Sequence, residues 1–308
     1  DKEDEGETME CKRDEKTLRM VIPQWQGGVN PNYVFGAELL AAIVPPTERA
    51  RTVTVAVPRD FEAPLGRVDG VEGAEALLAQ MAEERSMLER EQPNRVVVLG
   101  GDCAVEQAPF DWLNGRYGGD LGILWLDAHP DISSPASSTH QHEMVLGDLL
   151  GLSPDAAVTR VEHPFEPARV MLGGLIKEGL RPKDEACREL GLRAASPETL
   201  AASSEPVLAW LREEGIKRLV IHWDLDVLSP EDFRSIYPAE PGCDVEEFSR
   251  TMGAVGRMTL AQVGRLVADV SVAADVVGFG ITEHLPWDAF NLRRTLAGIE
   301  IFSCEQGT

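Results

Sequence analysis

Apolar residues fall into short runs separated by stretches of helical spacing. The runs are Arg19–Ile22, Val53–Val57, Val96–Leu99, Leu121–Leu126, Val170–Leu172, Leu192–Ala195, Leu219–Trp223 and Val276–Phe279. Most are continuous rather than alternating, which predicts strands covered on both faces. Between them, Leu77, Met81 and Leu88 share one face of a helix that stops before Pro93. Pro206–Glu214 carries Leu208 and Leu211 and ends at Gly215, a residue suited to a helix C-terminus. Ala261–Val270 brings Val263, Leu266 and Val267 together. Strands alternating with helices predict right-handed crossovers and a parallel sheet. The 308 residues show no internal repeat and no long linker. They suit one large α/β domain of about eight strands. Residues 1–17 lack apolar periodicity and read as a disordered tail, leaving 18–308 as a single domain.

Charge and composition narrow the partners. The net charge is −23, a surface that repels phosphate backbones, so no nucleic acid is expected. No apolar run approaches the roughly 20 residues that span a bilayer, so no membrane is expected either. Five scattered cysteines, Cys11, Cys103, Cys187, Cys243 and Cys304, suggest free thiols in a reducing, cytoplasmic setting.

The chemistry gathers where strands end, the place at which open α/β sheets bind ligands. Val96–Leu99 is followed by Gly100-Gly101-Asp102-Cys103, and Leu121–Leu126 by Asp127-Ala128-His129-Pro130-Asp131. Leu219–Trp223 is followed by Asp224-Leu225-Asp226, and Val276–Phe279 by Gly280-Ile281-Thr282-Glu283-His284. In extended backbone Asp127, His129 and Asp131 would point to one side, and so would Asp224 and Asp226. Buried carboxylates this close repel one another, and a divalent cation relieves that. Oxygen-rich ligation with one imidazole suits Mn²⁺ or a similar ion. Enough carboxylates are present for two ions sharing a water. His222 and His284 read as ordinary strand-end or loop residues. His140 and His142 lie in a Ser/Thr-rich loop, where a histidine can shuttle protons.

Taken in order, GGDC, WLDAHPDI, HEM, DLDVLSP and ITEH resemble the signatures of the arginase–agmatinase (ureohydrolase) family: GGDHS, DAHxD, HG, DxDxxDP and a late Glu. The resemblance runs from Met20 to Phe302. It implies a three-layer αβα sandwich with an eight-stranded, mainly parallel sheet. It also implies a dinuclear manganese site that hydrolyses linear guanidino or amidino groups. Metal-ligand positions fall on Asp127, His129, Asp131, Asp224 and Asp226, with Asp127 and Asp224 where the bridging ligands lie. His142 falls on the family's loop histidine, a proton shuttle, and Glu283 on the glutamate that takes the substrate guanidinium. Asp226 is a candidate proton donor to the leaving amine. A homo-oligomer is compatible with the family, whose members are usually trimers or hexamers.

Three departures bear on function. Cys103 stands where the family has its first histidine ligand, and a thiolate is a softer donor than Mn²⁺ prefers. That first site could be weak or take another divalent ion. Ser229 replaces the aspartate of the DP pair, and Glu143 replaces the glycine after His142, which leaves His140 as an alternative shuttle. The segment Asp131–Thr139 resembles the arginase loop that holds an amino-acid carboxylate, with Ser133 and Ser138 on the donor positions. Glu178 falls near an acidic position that meets the α-amino group. These favour a guanidino amino acid over a decarboxylated amine. Cysteine at the first ligand position further resembles the Nω-hydroxy-L-arginine amidinohydrolases of D-cycloserine biosynthesis, which yield hydroxyurea and ornithine. Hydroxyarginine is thus the first expectation and arginine the second. A metal-poor pseudoenzyme and a redox thiol at Cys103 are the competing readings, and metal content separates the first of them.

Overall fold

The computed structural model describes residues 16–299 and 301. Ten strands occur in chain order: β1 Thr17–Ile22, β2 Ala50–Thr54, β3 Arg67–Val68, β4 Val71–Glu72, β5 Arg95–Gly100, β6 Gly122–Leu126, β7 Val170–Gly173, β8 Arg193–Ala195, β9 Arg218–Asp224 and β10 Asp275–Thr282. The helices are α1 Asn32–Ile43, α2 Ala74–Glu91, α3 Gln107–Arg116, α4 Val145–Leu149, α5 Ala186–Glu189, α6 Pro197–Ala202, α7 Glu205–Glu213, α8 Val245–Thr251, α9 Leu260–Ala273 and α10 Trp287–Ala297. Eight strands form one sheet in the order β2-β1-β5-β10-β9-β6-β7-β8. Every pairing in it is parallel.

Side-chain alternation divides the core into two layers, one on each face of the sheet. Met20, Val98, Ile123 and Trp125 pack with Leu88 of α2 and with Phe110 and Leu113 of α3. Leu124, Leu126, Leu219 and Ile221 pack with Trp210 of α7 and with Val263 and Leu266 of α9. Both layers are apolar, so the strands carry apolar residues at consecutive positions. This is the origin of the continuous runs in the sequence. The arrangement is the expected three-layer sandwich with its eight-stranded parallel sheet.

Three boundaries differ from expectation. Thr17 is not tail: it opens β1, paired with Ala50 and Arg95, and residues 1–15 lie outside the described residues. The second strand runs over Ala50–Thr54 rather than Val53–Val57. It is an edge strand with mostly exposed side chains, so burial imposes no apolar run on it. A separate two-stranded hairpin, β3–β4, was not anticipated. Its turn is Asp69-Gly70, with φ of 52° and 91°, the positive angles of a tight hairpin turn. Cys103, Cys187 and Cys243 are free thiols, while Cys11 and Cys304 lie outside the described residues. Among the described residues, no helix is long and apolar enough to cross a membrane.

Candidate metal centre

The four strands whose ends carry polar clusters, β5, β10, β9 and β6, are consecutive neighbours in the middle of the sheet. Their carboxyl ends therefore meet on one rim. The last strand in sequence, β10, inserts between β5 and β9, which places Glu283 centrally.

Past β5 the chain turns at Gly101, where a Cβ would lie 1.8 Å from the Gln24 carbonyl oxygen. Only glycine permits that approach. Asp102 faces inward and ties the 24–28 loop in place. Its carboxylate accepts from Gln24 Nε2 at 2.9 Å and from the backbone N–H groups of Gly27 and Ala104 at 3.0 Å each. The next residues form a 3₁₀ turn, Cys103–Glu106. Cys103 Sγ donates to Asp224 Oδ2 at 3.0 Å and lies 3.8 Å from Glu283 Oε1.

Past β6, Asp127 Oδ1 accepts from His129 N at 2.6 Å and Oδ2 from Trp125 Nε1 at 3.0 Å. The alternation expected over Asp127, His129 and Asp131 does not persist. The strand ends at Leu126, and Asp131 has a left-handed φ of 42°. The side chains still converge. Past β9, Asp224 Oδ1 accepts from Asp226 N at 2.7 Å, and Asp226 Oδ2 lies 3.1 Å from His129 Nδ1.

Among the described residues four trios result, each with donor atoms within 4.8 Å of one another: Cys103-Asp131-His222, Cys103-Asp224-Glu283, Asp127-His129-Asp226 and Asp127-His222-Asp224. All six residues singled out as ligands appear in them. So does His222, which the sequence pattern marks only as an ordinary strand-end or loop residue. It is fully buried, its ring stacks on Trp125 at 3.6 Å, and Nδ1 lies 2.8 Å from Glu106 Oε2.

The electrostatics reflect crowded buried anions. Burial pushes the Asp131 and Asp224 carboxyls well above the usual range, and Asp127 and Asp226 respectively push them further. Burial also raises Asp226, to about 6 against the pull of His129. Burial and then Asp224 raise the Cys103 thiol. Burial works the same way on Asp127, but His129 and His222 outweigh it and hold that carboxyl low. A divalent cation among these donors favours every ionised form at once. The donor set therefore fits metal ions.

A cavity of about 520 Å³ opens onto the cluster. Glu283, with a left-handed φ of 63°, reaches into its wall. Tyr33 OH donates to its Oε2, and His142 Nδ1 lies 3.0 Å from its Oε1. Burial lowers His142, but Glu283 prevails and holds it at about 9. His140 also lines the cavity, its ring 5.9 Å from that of His142, and burial lowers it.

The substrate-loop residues are placed differently from expectation. Ser133 is buried away from the cavity wall, and its hydroxyl finds no partner among the described residues. Ser138 donates to Glu143 rather than facing the cavity. Glu178 is exposed and bound to Arg257 at 2.6 Å, and it does not reach the cavity, because its 3₁₀ turn sits on the outer surface. Arg181, only three residues further on, does line the cavity and bonds Glu143 Oε1 at 3.0 Å. No motif marked Arg181 or Tyr33. Tyr33 meets Glu283 and Arg181 meets Glu143 across long stretches of chain, although Arg181 also pairs with nearby Asp184.

Glu143 yields a pH prediction. Burial opposes its ionisation, but His142, Lys183 and Ser138 outweigh that and hold it at about 2. A carboxyl held below its unfolded value of about 4.3 stabilises the fold above that pH and loses the effect as pH falls towards 2. Glu143→Gln should flatten the acid limb of stability over this window. Thermal melts of both proteins from pH 6 to pH 2 test it, and parallel curves would contradict it.

With the geometry in view, the chain can be set beside known proteins. Residues 46–283 match the profile of the arginase family. The chain belongs to the arginase family. It is 29% identical over 211 residues to arginase 1, mitochondrial, of Arabidopsis thaliana, covering 66% of this chain and 53% of that one. The chain thus spans about half the length of the curated arginases it matches. Among solved structures, Entamoeba histolytica arginase in complex with L-ornithine superposes with a TM-score of 0.73 at 16% identity, covering 88% of this chain and 91% of that one. Formimidoylglutamase from Bacillus subtilis gives 0.59 at 12% identity, covering 88% and 80%. These likenesses establish the arginase fold for this chain.

Proposed function

We propose that this arginase-family chain is a dinuclear-metal hydrolase that cleaves the guanidino C–N bond of Nω-hydroxy-L-arginine, giving hydroxyurea and L-ornithine. The supporting observation is the convergence of Cys103, Asp127, His129, Asp131, Asp224 and Asp226 from the ends of three central strands, β5, β6 and β9, beside one cavity. Cys103 and Asp131 would serve one ion, and His129 and Asp226 the other. Asp127 groups with His129 and Asp226, Asp224 groups with Cys103, and the two meet in a further trio, so by family resemblance they would be the shared donors. Two divalent ions, Mn²⁺ by family resemblance, would supply Lewis acidity and a water of lowered pKa.

The side chains supply the rest. Glu283, steadied by Tyr33, accepts the guanidinium head through charge-assisted hydrogen bonds. Asp226 lines the cavity and can relay a proton to the departing amine. His142 stands at the cavity wall, where it can pass protons to solvent. Ser133 and Ser138 remain the loop donors for the carboxylate, but they need loop rearrangement to reach it. Arg181 also lines the cavity, but Asp184 and Glu143 engage its guanidinium, so it too must release a partner to meet a carboxylate tail.

L-Arginine is the alternative, favoured because the relatives by sequence carry the name arginase. Kinetics on manganese-loaded protein with hydroxyarginine, arginine, agmatine and formiminoglutamate decide between them. Hydroxyarginine should have the highest kcat/KM, and agmatine should trail both amino acids by roughly tenfold or more for want of one charge-assisted contact. Cys103→His, which restores a harder donor, should move the ratio towards arginine. Equal efficiency with agmatine would overturn the amino-acid specificity, and arginine ahead in the unaltered protein would overturn the hydroxyarginine assignment. Metal-free purified protein that binds no ions on titration would instead favour a pseudoenzyme.

A further inference from the structure

His222 lies outside the ligand set that family resemblance assigns, yet its surroundings are those of a metal ligand. It sits two residues before Asp224 on β9, directly across from its neighbour Trp125 on β6 and on the same face of the sheet. Stacking at 3.6 Å and complete burial fix the ring plane. Glu106, at the end of the turn that begins with Cys103, meets Nδ1 at 2.8 Å. That carboxylate fits because residue 280 is glycine: a Cβ there would lie 1.8 Å from Glu106 Oε1. Nδ1 is therefore the anchored nitrogen and Nε2 the free one. Nε2 is buried without a hydrogen-bond partner among the described residues, 3.8 Å from Asp127 Oδ2.

A carboxylate holding one nitrogen of a buried imidazole, with the other aimed at a cluster of anions, is the usual support of a metal-bound histidine. The trios locate the ion. His222 groups with Cys103 and Asp131, and again with Asp127 and Asp224. Those four are the donors assigned to the first ion together with its bridges, whereas His129 and Asp226 belong to the second. We propose that His222 ligates the first ion through Nε2, supplying from β9 the imidazole that Cys103 does not supply from the turn after β5. Glu106 then acts as its positioning residue. The resulting set of one thiolate, one imidazole and three carboxylates is softer than a set with imidazole and carboxylates alone. It should accept Co²⁺ or Zn²⁺ more readily relative to Mn²⁺.

This inference rests on the dinuclear reading, and cobalt binding separates the two. Calorimetric titration of the metal-free full chain with Co²⁺ should show two ions per chain. His222→Ala should keep one and weaken the other at least about a hundredfold. Glu106→Gln, which retains the imidazole, should weaken the same ion by about 10–100-fold. X-ray absorption on cobalt-loaded unaltered protein needs no variant and should count two imidazoles per pair of ions. Fewer than two ions in the unaltered protein would overturn the dinuclear reading. Two ions with one imidazole per pair, or unchanged affinities in a folded His222→Ala, would overturn the His222 assignment alone.

Discussion

Asp224→Asn should lose at least about a thousandfold in kcat/KM while raising the melting temperature of the metal-free protein. The two effects have one cause. Asp224 is 3% exposed, and burial and then Asp226 push its carboxyl well up. A raised carboxyl costs stability once the pH passes its unfolded value of about 3.9, and the cost grows until the folded value is reached. Asparagine keeps the shape and removes the charge. The metal-free variant should therefore gain roughly 1–2 kcal/mol at neutral pH, on the order of one pKa unit of relief for a buried carboxyl crowded by Asp226 and Asp127. The gain should vanish below about pH 4. With metal the sign should reverse, because a donor proposed for the ions is gone. A thousandfold loss is about 4 kcal/mol of transition-state stabilisation, within the range for losing one partner of a buried charge pair. Paired melts with and without Mn²⁺, alongside steady-state kinetics, test both halves. A metal-free variant less stable than the parent at pH 7 would mean that Asp224 is structurally satisfied without an ion.

That coupling of stability to chemistry explains what could be read from the chain beforehand. The central strands were visible because two apolar layers force continuous apolar runs, as in Gly122–Leu126, buried at every position. The edge strand Ala50–Thr54 was displaced because exposure removes that constraint. Six candidate ligands were visible because they follow buried strands within a few residues. His222 was passed over for the opposite reason. It lies inside a strand, where alternation says which face a residue takes but not what waits there. Its partner Glu106 is 116 residues away. Tyr33 and Glu283 are 250 apart and meet only because β10 lies next to β5, beyond which α1 packs. Ser133, Ser138 and Glu178 were carried over by resemblance to loops, and loops are where related chains diverge most. Here Glu143, in place of the family's glycine, engages Ser138, Arg181 and Lys183 and reorganises that wall.

Glu283→Gln should lower kcat/KM about a hundredfold, chiefly through KM, and leave metal binding intact. In this structure the carboxylate is divided between Tyr33 on Oε2 and His142 on Oε1. An incoming guanidinium must displace His142 to use both oxygens as a fork. Each charge-assisted bond contributes about 1.5–3 kcal/mol, so losing the charge on both sides supports a hundredfold effect. Glutamine presents one acceptor and one donor, and the donor faces the guanidinium N–H groups unfavourably. The substitution also acts on His142. Glu283 is the main influence holding that imidazole at about 9 against burial. Without it the value should fall, with Glu143 and Asp131 left to oppose burial, so the proton-carrying form is lost at lower pH. The pH profile of kcat/KM should then move its basic limb downwards by one unit or more. Cobalt titration completes the test, since Glu283 also groups with Cys103 and Asp224. Loss of an ion in Glu283→Gln would make it a ligand, whereas two ions retained with a raised KM and a shifted pH limb leave it as the guanidinium acceptor.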